Sequence, residues 1–140
     1  DLGAGAGFPG VALAVGLMER GVDGQVVMVE SIAKKAAFLR AMADAAGAPV
    51  TVLPERAESL HPVPEVDIVT ARAMAPLSKL LGYVKPFVDK GALALLPKGG
   101  RYQEELTTAR KSWTFKAQVI PSRTSPDAAI LKIEDLTRVR

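Results

Sequence analysis

The sequence predicts an α/β fold: a mostly parallel sheet with helices on both faces, closed by an antiparallel hairpin. Three observations carry that expectation. Short β-branched runs alternate with stretches of helical periodicity through most of the chain. A glycine-rich segment, Gly3 to Gly10, opens directly into the first of those helical stretches. The last two apolar runs are separated by about six turn residues, too few for a crossover helix, so they pair antiparallel.

Each element follows in order. Pro9 suits a first helical turn, where its missing N–H costs nothing. Val11, Ala14, Val15 and Met18 continue at helical spacing until Gly21 stops the helix. Gln25 to Val29 is a buried strand ending at Glu30. Ser31 is placed to cap a second helix whose buried stripe is Ile32, Ala36, Leu39 and Ala43, with Lys34, Lys35 and Arg40 off that stripe. Gly47 and Pro49 end it, and Val50 to Leu53 forms the next strand. Residues 54–64 read as a loop, and Val66 to Thr70 reads as a strand followed by a turn-forming stretch, Ala71 to Pro76. Leu77, Leu80, Leu81, Val84 and Val88 define an amphipathic helix. Ala92 to Leu96 is a strand, and Arg101 to Lys111 a charged helix. Trp113, Phe115, Ala117 and Val119 alternate with polar residues, as do Ala129, Leu131 and Ile133, giving the two strands of the hairpin.

Composition narrows the function. The chain has 140 residues, 49% apolar and 24% charged, enough for one domain, expected to span 1–140. The absence of cysteine excludes disulfide scaffolds and thiolate metal sites. A single histidine, His61, leaves no set of imidazoles for zinc and no base for a Ser-His-Asp triad, so no metal site is expected. No apolar run is long enough to span a bilayer and none resembles a signal peptide, so a cytoplasmic protein with no membrane role is expected. The net charge of +3 allows a polyanionic partner without establishing one.

The chemistry concentrates at the glycines. Alternate glycines allow a tight turn and leave bare main chain that a ligand can approach closely. In the frame Gly5-x-Gly7-x-x-Gly10, the loop matches the dinucleotide fingerprint, and Glu30 follows twenty residues after Gly10. An acid at the tip of the second strand can accept both hydroxyls of a ribose, in NAD and in S-adenosylmethionine alike. Two features favour the methyl donor: Asp1 stands where it could face an ammonium group that NAD lacks, and bulky Phe8 and Pro9 occupy a turn that phosphate-binding loops keep small. An NAD-dependent oxidoreductase and a non-catalytic RNA-binding module that keeps the fold remain the alternatives.

The segment Asp1-Leu2-Gly3-Ala4-Gly5-Ala6-Gly7-Phe8-Pro9-Gly10 resembles the glycine loop of the bacterial small-subunit rRNA guanine-N7 methyltransferases, also called glucose-inhibited division protein B. Four further matches follow in register over roughly the first hundred positions. Glu30-Ser31 with Lys34, Lys35, Phe38, Leu39 and Arg40 is similar to the family's acid-Ser segment. Arg56-Ala57-Glu58, the stretch from Asp67 to Ala73, and Leu96 to Gly99 resemble later family motifs. There are departures: Glu30 stands where Asp is more usual, Pro97-Lys98-Gly99-Gly100 carries a Pro and an extra Gly, and the stretch from Ser125 to Ile133 matches only loosely. The family's N-terminal helical region and first strand are not matched, so the sequence is read as part of a longer protein.

The resemblance implies a class I S-adenosylmethionine-dependent methyltransferase, Rossmann-like, with S-adenosyl-L-methionine as cofactor and 16S ribosomal RNA or the small ribosomal subunit as partner, acting as a monomer. Gly3, Gly5 and Phe8 would line the methionine side of the cofactor pocket, Glu30 would hold the ribose, and Ala57 and Glu58 would flank the adenine. Arg72 would sit at its strand end beside cofactor and target base, in a catalytic role. Lys34, Arg56 and Lys98 are the candidate phosphate contacts with RNA. Guanine N7 carries a lone pair outside the aromatic sextet and needs no deprotonation, so alignment matters more than a general base.

Overall fold

In the computed structural model, which describes residues 1–140, the chain forms two compact units, residues 1–60 and 61–140. In the first, the β-branched run Val26–Val29 makes β1, which pairs in parallel with β2, Val50–Leu53, in the register Val26–Val50 to Val29–Leu53. Leu2 forms an isolated parallel bridge with Val29, so the residues entering the glycine loop run alongside β1. Helix α1, Gly10–Glu19, follows the loop, and α2, Ala33–Ala46, connects the two strands. Ala4, Val11, Met28, Ala36, Leu39 and Val52 form the core of this unit. At the end of α2, Gly47 adopts φ +60° and the Ala48 N–H donates to the Ala43 carbonyl at 3.0 Å, a left-handed stop that glycine makes without strain.

Two expectations for these helices are corrected. Ser31 makes no capping bond: Ile32 is the N-cap of α2, and its N–H donates instead to Glu30 Oε1 at 2.9 Å. The strand's terminal acid thus takes over a capping role. Ile32 and Met18, placed on buried stripes by periodicity, are about half exposed (50% and 44%), because each lies at a helix end where the stripe runs off the sheet.

The second unit is built on a four-stranded sheet in the order β3-β4-β6-β5. Strand β3, Ile68–Thr70, pairs in parallel with β4, Leu93–Lys98, and α3, Leu77–Val88, connects them. Leu77, Leu80, Leu81, Val84 and Phe87 are buried, as a helix of strong apolar periodicity requires. After α4, Tyr102–Ala109, the hairpin runs through β5, Trp113–Pro121, and β6, Ala129–Arg138, antiparallel as expected. The last strand does not lie at the edge: β6 inserts between β4 and β5, pairing antiparallel with both. Leu131 and Ile133 are accordingly fully buried. Trp113 and Phe115 are core residues, and the indole N–H donates to the Ser78 carbonyl at 2.8 Å. No helix is long and apolar enough to cross a membrane.

Candidate functional site

The first unit carries the glycine loop. Gly3, Gly5 and Gly7 have φ of +62°, +55° and +94°, left-handed conformations that L side chains adopt at a cost of about 1–2 kcal/mol each. The Gly7 N–H donates to the Ala4 carbonyl at 2.8 Å, and the Val11 N–H to the Gly7 carbonyl at 2.7 Å, so the turn runs straight into α1. A methyl group on Gly7 would lie 2.8 Å from Val11 Cγ2 and 3.3 Å from Leu39 Cδ2, both of them core side chains without room to move. Gly7→Ala is therefore expected to destabilise the protein by about 2–4 kcal/mol, strain and overpacking together, measured by urea unfolding. A loss within 0.5 kcal/mol, roughly the scatter of neutral surface changes, would mean that the loop relaxes freely.

Gly5 is different. A methyl there would meet only the Gly3 carbonyl, at 3.7 Å, leaving its face of the loop open. What Gly5 contributes is its N–H, which donates to Glu30 Oε2 at 2.9 Å. Glu30 is 6% exposed and is the only charged residue among the buried ones. Its two oxygens each accept one backbone N–H, from Gly5 and from Ile32, and its own N–H donates to the Leu53 carbonyl at 3.0 Å. One carboxylate thus ties the glycine loop, the end of β1 and the start of α2 together. Each oxygen keeps a second lone pair, so hydrogen bonds to two adjacent hydroxyls are compatible with the brace. Asp1 is also turned to the loop, its Oδ2 accepting the Gly10 N–H at 3.1 Å. A methyl on Gly10 would sit 2.9 Å from that oxygen and 2.7 Å from Met28 Sδ, so helix and strand meet there without space for a side chain.

The remaining candidates in this unit lie at its surface. Phe8 is 52% exposed beside the loop. Ala57 and Glu58 open a short 3-10 turn, Ala57–Ser59, which follows β2. The Glu58 carboxylate lies 4.0 Å from the exposed Arg56 guanidinium, too loose a pair to hold either side chain. Lys34 is exposed on α2. Bare main chain with an open face, a buried acceptor with spare lone pairs and an exposed aromatic ring fit an adenosyl cofactor with a ribose diol.

The second unit contains a cavity of about 940 Å³ at the ends of β3 and β4, walled by the 71–76 segment, the start of α4 and the turn at 122–130. Arg72 lines it and is exposed. Its neighbour Ala73 has φ +52°, unusual for a residue with a Cβ. The segment is pinned from below, where Lys98 Nζ donates to the Ala75 carbonyl at 2.9 Å and to Glu105 Oε2 at 2.7 Å. The same Glu105 oxygen accepts the Leu77 N–H at 2.6 Å, capping α3. The Lys98 side chain is only 8% exposed. This corrects the expectation of a phosphate contact at Lys98: a buried ammonium committed to a carboxylate and a carbonyl has no face left for RNA. Glu105, which the sequence reading passed over, had one signal, an acid in the first turn of a charged helix seven residues after the lysine.

A family model described as rRNA small subunit methyltransferase G matches residues 1–129. A curated relative of Hyphomonas neptunium, named ribosomal RNA small subunit methyltransferase G, is 46% identical over 138 residues, covering 99% of this chain and 64% of its own length. The chain thus spans just under two thirds of that relative. Among solved structures, a putative rRNA-methylase from Clostridium thermocellum superposes with TM-score 0.65 at 13% identity, over 100% of this chain and 85% of that one. An O-methyltransferase from Bacillus cereus, solved in complex with SAH, gives 0.64 at 15% identity, over 96% and 72%. At such identities these two establish the fold, the Rossmann-like class I methyltransferase architecture, and nothing finer.

Proposed function

The chain belongs to the rRNA small subunit methyltransferase G family, and from that premise we propose that it forms the S-adenosyl-L-methionine-binding part of a cytoplasmic enzyme that methylates N7 of a guanine in 16S ribosomal RNA. The observation that supports this most is Glu30, a buried carboxylate bonded to the Gly5 N–H at the foot of an open glycine loop. Family membership gives no support to the nicotinamide alternative.

When bound, the cofactor supplies a sulfonium methyl group, and guanine N7 takes it as the carbon–sulfur bond breaks. The chain's own work is then to hold and align. Gly3, Gly5 and Phe8 receive the methionine end, Glu30 accepts from the ribose hydroxyls, and Ala57 and Glu58 flank the adenine. Arg72, on the cavity of the second unit, holds the target nucleotide. Because N7 brings its own lone pair, no residue has to act as a general base. Lys34 and Arg56, both exposed, are proposed to meet RNA phosphates.

Calorimetry with S-adenosylhomocysteine, followed by mass mapping of 16S rRNA treated with the full-length enzyme and methyl donor, tests the reading. Micromolar binding and a single 7-methylguanosine are expected. No binding, or methylation elsewhere than guanine N7, would reject it. On the same RNA, Lys34→Ala should lower affinity more at low than at high salt.

A further inference from the structure

The cavity of the second unit contains two acids of different standing. Glu105 is spent, its Oε2 held by Lys98 and by the Leu77 N–H. Glu104, one residue earlier on α4, lines the same cavity, is exposed, and has no hydrogen bond or ion pair. The hydroxyls at the opposite lip are committed, because Ser122 Oγ accepts the N–H groups of Thr124 and Ser125. Glu104 is therefore the uncommitted acceptor on a wall that otherwise presents the cations Arg72 and Arg101.

The chemistry of the target gives that acceptor a use. Guanine N7 and O6 lie on one edge of the base, and both are acceptors. To be methylated at N7 a guanine must offer that edge, leaving its Watson–Crick edge, with the donors N1–H and N2–H2, to be read by the protein. Unstacked RNA bases are commonly recognised on that edge. Two parallel donors match the two oxygens of a carboxylate. Adenine shows an acceptor and a donor there and matches it on one side only. We propose that Glu104 is the specificity-determining residue, its carboxylate accepting from N1–H and N2–H2 of the target guanine in this cavity. Arg72 and Arg101 take up the flanking phosphate charge, which makes the approach of a carboxylate to an RNA strand tolerable. The inference rests on the methyltransferase reading above and adds the means by which the base is chosen.

The test uses the full-length enzyme with two RNAs, a 16S transcript carrying guanine at the mapped position and the same transcript carrying inosine, which keeps N7 and N1–H but lacks the 2-amino group. The wild-type enzyme is expected to prefer guanine about tenfold in kcat/KM, the value of one lost hydrogen bond in a site built for it. Glu104→Ala should lower kcat/KM on guanine to a similar degree and abolish the preference, with the melting temperature and S-adenosylhomocysteine affinity unchanged. A wild-type preference that survives in Glu104→Ala would overturn the proposal, as would a wild-type enzyme indifferent to inosine. An enzyme that binds the cofactor and methylates no guanine would instead bring down the underlying reading, and this inference with it.

Discussion

Arg72→Ala is expected to lower kcat/KM for methyl transfer by about a hundredfold or more while changing unfolding free energy by no more than about 0.5 kcal/mol. The two magnitudes come from different physics. Removing one preorganised donor from a reaction centre costs on the order of 10²–10³ in rate. An exposed side chain outside the core changes stability little. Arg72 is exposed, follows β3 directly and lines the cavity, and strand C-terminal ends in open α/β sheets are where ligands bind. The segment carrying it is well held: Ala73 keeps its left-handed φ, and Lys98 fixes the Ala75 carbonyl. A guanidinium on so braced a segment presents its fork in a set direction. Arg72→Lys should therefore recover little of the loss, because a point charge cannot replace the two parallel donors. Steady-state kinetics beside urea unfolding of both variants decides the matter. Equal losses of rate and stability would make Arg72 a structural residue.

The elements with strong periodicity were the legible ones. Val50–Leu53 and Leu77–Val88 lie where their patterns put them, because burial on one face leaves a direct imprint on residue order. Val66 and Asp67 were read into β3, which begins only at Ile68, since hydrophobicity does not reveal where a partner strand runs out. The insertion of β6 between β4 and β5 was invisible for the same reason: alternation at Ala129, Leu131 and Ile133 shows that a strand is half-buried, not which neighbours it has. At the site, spacing singled out Glu30 and the glycines, but not that the carboxylate would be consumed in part by two N–H groups. Lys98 misled because a lysine beside glycines looks the same in sequence whether its ammonium faces solvent or a glutamate seven residues away. Pair interactions across elements leave no periodic trace.

Glu30→Gln is expected to weaken S-adenosylhomocysteine binding by about tenfold to a hundredfold and to destabilise the protein by about 1–3 kcal/mol. The amide keeps the size of the side chain and replaces one oxygen by a donor. Whichever way it turns, an NH2 group then faces a backbone N–H, that of Gly5 or that of Ile32, and a buried donor without an acceptor costs about that much. The affinity loss has a separate origin, since one of the two oxygens offered to the ribose diol is gone and the charge that strengthened both bonds is lost. Glu30→Asp separates the two effects: it keeps the charge and both acceptors but is one methylene shorter, so it should give up part of the brace while holding the ligand better than Glu30→Gln does. Calorimetry and urea unfolding on all three proteins read the two quantities independently. Unchanged affinity in Glu30→Gln alongside a clear loss of stability would leave the carboxylate as a brace for the loop and strip it of any part in holding ribose.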